Sequence, residues 1–134
     1  MRKKTYFNRL PGTPQVLRPV IWIGSALQDL RGLPEQVQDT FGYALHQAQC
    51  GKHHPGARQL RGYLRGLVEL IDDFDGDTYR ALYTVKIGDA VYVLHVFQKK
   101  ATQGIATPRH EIAVIRERWR RARMHYAAQR GGRG

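Results

Sequence analysis

Three apolar segments with a period of two, following one another between residues 67 and 99, constrain this chain more than any other feature in it. Leu67 to Ile71, Thr78 to Ile87 and Ala90 to Lys99 are punctuated by Asp75-Gly76 and Gly88-Asp89. Side chains that change face at every residue belong to strands, and such pairs between two strands are turn signals. The second pair has the length of a two-residue hairpin turn. These segments are therefore expected to form an antiparallel meander.

The flanks read differently. Val20-Ile21-Trp22-Ile23 is a short strand closed by Gly24, and Ser25 with Gln28 three residues on forms a capping-box pattern before a short helix bearing Leu27 and Leu30. Pro34 opens a second helix with Val37, Phe41, Ala44, Leu45 and Ala48 at helical spacing and Gly51 at its end; Gly42 inside it points to close packing. Thr107-Pro108 starts a long helix with Ile112, Ile115, Trp119, Ala122 and Tyr126 in one stripe and arginines elsewhere. The order is β-α-α-β-β-β-α. Residues 1–17 read as a flexible basic arm, 18–127 as the single folded domain and 128–134 as a flexible tail.

Charge narrows the function classes. The 134 residues carry 22 Lys+Arg against 11 Asp+Glu, a formal charge of +11, and five of the acids crowd between Glu69 and Asp77. The rest of the surface attracts polyanions, so nucleic acid is the leading partner. Cys50 is the only cysteine and reads as a structural thiol, which excludes an internal disulfide. The start MRKKTYFNRL has no apolar run of the secretory kind, and the longest apolar stretch, Ala90 to Phe97, falls far short of the roughly 20 residues of a bilayer span. A cytoplasmic protein without a membrane segment is expected. No phosphate-binding glycine loop or acidic metal-ligand spacing is present; His53-His54 reads as a solvated loop, with no metal expected.

With Gly88-Asp89 as the turn, Ile87 faces Ala90 and Arg80 faces Phe97. One sheet face then holds Tyr79, Ala81, Tyr83, Val85 and Ile87 beside Ala90, Tyr92, Leu94 and Val96, and should receive the helices. The other holds Arg80, Leu82, Thr84 and Lys86 beside Val91, Val93, His95, Phe97 and Lys99, and is expected to stay uncovered. A guanidinium, an imidazole, an ammonium and a ring converge at one end of it. Arg80 suits a phosphate, Phe97 a stacked base, His95 a proton transfer near neutral pH, and Lys99 and Lys100 add fixed charge. The same cluster also reads as Arg80 paired with the acidic stretch and Phe97 in the core. Arg58, Arg61 and Arg65 precede the meander in a loop suited to phosphates, and His54 and Lys86 are further candidates for RNA contact.

VIWIGSALQDLRGLPEQV, GYALHQAQCGKHHPGARQLRGY, DGDTYRALYTV and AVYVLHVFQKKATQGIATPRHEI, with the basic helix after them, resemble the HigB-like, phage-related branch of the RelE/ParE toxin superfamily. The resemblance spans about residues 18 to 126, and its most specific elements are Tyr79 to Tyr83, His95 to Lys100 and Thr107 to Ile112. It implies an α+β, RelE-like fold: a twisted antiparallel sheet on a helical hairpin, with a C-terminal helix. It also implies the toxin of a type II toxin-antitoxin pair, neutralised by a cognate helix-turn-helix antitoxin. The implied activity is a ribosome-dependent endoribonuclease that cuts mRNA without metal or cofactor, the 2′-hydroxyl attacking the phosphodiester. Arg80 matches the phosphate-stabilising arginine, Lys99 and Lys100 match the basic strand end, and His95 and Phe97 share that motif. Glu69 stands where RelE has lysines, and the loop from His54 to Arg58 has no acid, so the base is open among His54, His95 and Glu69. ParE-type relatives act on gyrase with the same fold, so a toxin that binds gyrase or RNA without cleaving is the alternative.

Overall fold

The computed structural model describes residues 16–99 and 107–131. Its elements are β1 (Val20–Trp22), α1 (Ala26–Arg31), α2 (Glu35–Gln49), β2 (Arg58–Gln59), a 3₁₀ turn (Gly62–Leu64), β3 (Val68–Phe74), β4 (Asp77–Thr84), β5 (Val91–Lys99) and α3 (Arg109–Gly131). Most of the basic arm, Lys100 and residues 132–134 of the tail lie outside the described residues, while α3 continues to Gly131.

The fold is α+β around one sheet of order β1-β5-β4-β3-β2. The meander β3-β4-β5 is antiparallel, and β1 joins its far edge parallel to β5 after the chain has crossed through the helical hairpin. The two-residue β2 against β3 is an addition that no periodicity could announce, because both of its residues are exposed.

The expected register holds at one end and fails at the other. Thr78 through Leu82 face Lys99 through His95 as expected, Arg80 opposite Phe97, but Tyr83 then faces Val93 and Thr84 faces Tyr92. One extra residue on β5 at this bulge swaps the faces of everything beyond it. Val91 and Val93 therefore pack under α1 and α2, while Tyr92 and Leu94 turn to α3, the reverse of the expectation. The two-residue turn also gives way, since β4 stops at Thr84 and residues 85–90 form the connection.

Both faces are covered. Val37, Phe41, Ala44 and Leu45 of α2 seal one against Val68, Leu70, Ala81 and Tyr83. On the other, Ile115 and Ala122 of α3, with Trp119 and Tyr126 beside them, pack on Leu67, Leu82, Tyr92 and Leu94. The half-polar face expected to lie open is thus roofed along much of its length, because the arginine-rich α3 still carries an apolar stripe that must be buried. Gly42 is exposed with open space where a Cβ would lie, so close packing does not account for it. No helix among the described residues is long and apolar enough to cross a membrane.

One core residue gives a direct prediction. Tyr83 is fully buried, and its hydroxyl has no hydrogen-bond partner among the described residues. Burial pushes its pKa up to about 12 from the usual 10. Between those values the unfolded chain loses the phenolic proton before the folded one, so this group removes stability as pH rises through that window. Tyr83→Phe is expected to be neutral or stabilising by up to about 1 kcal/mol at pH 7. It should also flatten the alkaline decline between about pH 10 and 12 in urea titrations; an unchanged decline would refute the assignment.

Candidate active site

The expected residues come together in the arrangement of the second reading: Arg80 is paired with Glu69 of the acidic stretch, and Phe97 is buried in the core. On the α3 side of the sheet Arg58 faces Glu69 across β2-β3, Glu69 faces Leu82, and Leu82 faces His95. The next row holds Ile71, Arg80 and Phe97, and the row after it Asp73, Thr78 and Lys99. Alternation on four adjacent strands therefore brings Arg58, Glu69, Arg80, His95, Phe97 and Lys99 to one end of one face.

Glu69 sits at the centre of the first group. Its Oε2 accepts from Arg80 Nη1 at 2.9 Å and its Oε1 from Arg58 Nη2 at 3.0 Å. Arg80 Nη1 also donates to Thr107 Oγ1 at 3.3 Å, linking the cluster to the start of α3. Glu69 is 2% exposed, Arg80 7% and Lys99 4%, whereas the Arg58 side chain is 65% exposed. The guanidinium expected on an open surface is thus a buried one held by a carboxylate, with Arg58 as its exposed outer partner. Both charges can lie this deep because each is paired.

His95 belongs to a second group. Its Nε2 lies 2.6 Å from Glu111 Oε1, and its Nδ1 lies 3.3 Å from Arg118 Nη1. A guanidinium only donates, so Nδ1 accepts and the proton resides on Nε2, which donates to Glu111. Burial lowers the His95 pKa below its ordinary value, against the opposing pull of Glu111, which favours this neutral tautomer. With both nitrogens engaged, the imidazole reaches a substrate only by giving up a partner. Its ring stacks on Phe97, with centroids 4.8 Å apart.

Arg118 is the hub of this group. It also donates to the Leu94 carbonyl at 3.1 Å and to Ser25 Oγ at 3.0 Å. Ser25 Oγ in turn donates to Asp29 Oδ2 at 2.8 Å, so the hydroxyl makes no cap bond and the expected capping box does not form. Glu111 and Arg118 were missed as site residues. Their signal was available: they lie one residue before Ile112 and one before Trp119, so two charged groups border the inward stripe of a helix, where charge requires a partner.

The remaining candidates lie elsewhere. His54 is in the loop after α2, where its Nδ1 accepts from the Gly56 amide at 2.9 Å and its ring meets Tyr43 of α2 edge-on. That contact belongs to the hairpin side of the sheet, away from Arg80. Lys86 is exposed in the β4-β5 connection, at the opposite end from Arg80 rather than on the strand face. Arg61 and Arg65 are exposed on either side of the 3₁₀ turn, along the edge that ends in Arg58. No group of three or more His, Cys, Asp or Glu suited to a metal ion occurs among the described residues.

A protein-family model described as "Phage derived protein Gp49-like (DUF891)" matches residues 28–120. No curated protein gives a significant match. Among solved structures, the chain is similar to one in the RelBE2 toxin-antitoxin complex from Mycobacterium tuberculosis, at 21% identity and a TM-score of 0.46, covering 63% of this chain and 100% of that chain.

Proposed function

The chain belongs to the phage-derived Gp49-like family of RelE/HigB-like toxins, and from that premise we propose that it is a ribosome-dependent endoribonuclease toxin held in check by an antitoxin. One observation carries the reading: Glu69 is clasped by Arg58 and Arg80 on the sheet face that also bears Lys99. A carboxylate, two guanidiniums and an ammonium at one end of a sheet are what cleavage of a ribose-phosphate link requires without a metal.

In the proposed step the 2′-oxygen of the RNA attacks the adjacent phosphorus while the bond from phosphorus to O5′ breaks, leaving a cyclic phosphate. Glu69 takes the 2′-hydroxyl proton, and the Lys99 ammonium supplies one to the departing O5′. Protonation of Glu69 weakens its hold on Arg58 and Arg80, which turn to the phosphate oxygens as negative charge grows there. Phe97, expected as a platform for a base, is only 8% exposed and belongs to the core under α3, so it packs the site from beneath and stacks no base. His95, with both nitrogens engaged, supports Phe97 by stacking and moves no proton in this scheme. His54, on the other side of the sheet, takes no part.

The closure of the Arg80-Glu69 pair favours one second reading, a toxin that binds its target without cutting it. Mapping mRNA ends after induction separates the two. Induction is expected to arrest growth and create new ends, and Arg80→Ala with Lys99→Ala should reduce cleavage at least about a hundredfold and restore growth. Thermal unfolding of the variant checks that the fold survives, and Lys99→Gln alone provides a milder variant. Arrest with intact mRNA would leave only the binding toxin.

A further inference from the structure

Midway along α3 a groove of about 620 Å³ opens between the helix and the 3₁₀ turn, and the cleavage scheme makes no use of it. Two aromatic rings line it. Tyr63 is 66% exposed, an unusual position for a large ring, because Leu64 takes the inward place in the turn. Trp119 is half-buried, its indole packed over Gly66. Each ring carries a guanidinium: Arg116 Cζ lies 5.7 Å from the centre of Tyr63, and Arg123 Cζ lies 5.0 Å from that of Trp119. Glu117, the acid in the groove, is engaged by Arg120 at 2.6 Å. An exposed tyrosine ring and a half-buried indole alternating with arginines match the two features of an unpaired nucleic-acid strand, base faces that stack and phosphates that need cations.

The surroundings extend the match. Arg61 and Arg65 flank Tyr63 in the chain, and Arg58 begins the strand whose neighbour carries Glu69. Cations thus run from the groove along the sheet edge to the Arg80 cluster. We propose that the groove is a binding site for single-stranded RNA, with bases stacked on Tyr63 and Trp119 and phosphates against Arg116 and Arg123. The proposal rests on the endoribonuclease reading in one respect, that the strand held here flanks the one cut beside Arg80. An acidic protein segment would satisfy the arginines but has no use for the exposed ring of Tyr63.

The test is equilibrium binding of a fluorescent, unstructured RNA oligonucleotide to the full chain across a salt series. Tyr63→Ala is expected to weaken binding about tenfold while Tyr63→Phe keeps it, the signature of stacking rather than of a hydroxyl contact. Arg116→Ala with Arg123→Ala should make the slope of log affinity against log salt shallower by about one or more. Tyr63→Ala binding as tightly as the parent, no RNA binding by the parent, or loss of antitoxin binding in these variants with RNA binding intact would each overturn the proposal. Cleavage is scored separately, by mapping mRNA ends after induction in cells: RNA bound through Tyr63 with cellular mRNA left intact sinks the endoribonuclease reading and leaves the groove standing. Cleavage with RNA binding indifferent to Tyr63 does the opposite.

Discussion

Glu69→Leu is expected to lower folding stability by about 3 to 5 kcal/mol, the largest effect of any single polar substitution in the sheet. The leucine fits a site that is 2% exposed and faces Leu82, so packing is not what is lost. What is lost is the carboxylate that compensates a guanidinium 7% exposed, and an uncompensated buried charge is costly. The partners should behave asymmetrically. Arg58→Ala removes an ion-pair partner whose side chain is 65% exposed and should cost under about 1 kcal/mol. Glu69→Leu combined with Arg80→Leu removes both buried charges and should recover much of the loss. Urea unfolding of the four chains measures this; a Glu69→Leu cost no larger than that of Arg58→Ala would show that the pair is not buried as described. The same arithmetic bears on the proposed chemistry, because a carboxylate that stabilises the fold is available as a base only while its guanidiniums stay nearby.

Gly88→Ala is expected to cost about 2 to 4 kcal/mol, from two sources that can be separated. Gly88 has φ +58°, where an L side chain costs roughly 1 to 2 kcal/mol. A Cβ there would also collide with the ring of Tyr126, whose contacts with the sheet anchor the last third of α3. Gly76, with φ +83° and open space around it, is the control that carries the backbone cost alone. Trimming the ring with Tyr126→Ala should relieve the collision, so the two substitutions together should cost less than their sum. Additive costs in denaturant titrations would show that α3 does not bear on this turn. Undocking α3 would also pull Glu111 and Arg118 from His95, so hydrogen exchange at His95 should rise with exchange at Tyr92.

Much of the architecture was legible before any coordinates, and the exceptions share a cause. The strands, the helical hairpin and the stripe of α3 are written in local periodicity, which depends only on neighbours along the chain. The assumed two-residue turn set Arg80 opposite Phe97, and that pairing stands because the extra residue at the bulge offsets a connection whose own register is shifted by one. Val91-Tyr92-Val93-Leu94 is apolar throughout, so it carries no information about which face each residue takes. Packing against α2 on one side and α3 on the other decided that, through the bulge opposite Leu82 and Tyr83. The covering of the half-polar face follows from the same contest. Tertiary structure alone singled out Glu69 within the acidic stretch as the partner of Arg80, added Arg58 to it, and joined His95 to Glu111 and Arg118. A buried charge takes whichever partner the folded chain brings within reach, and that depends on strand pairing and helix docking across the whole domain rather than on spacing in the sequence.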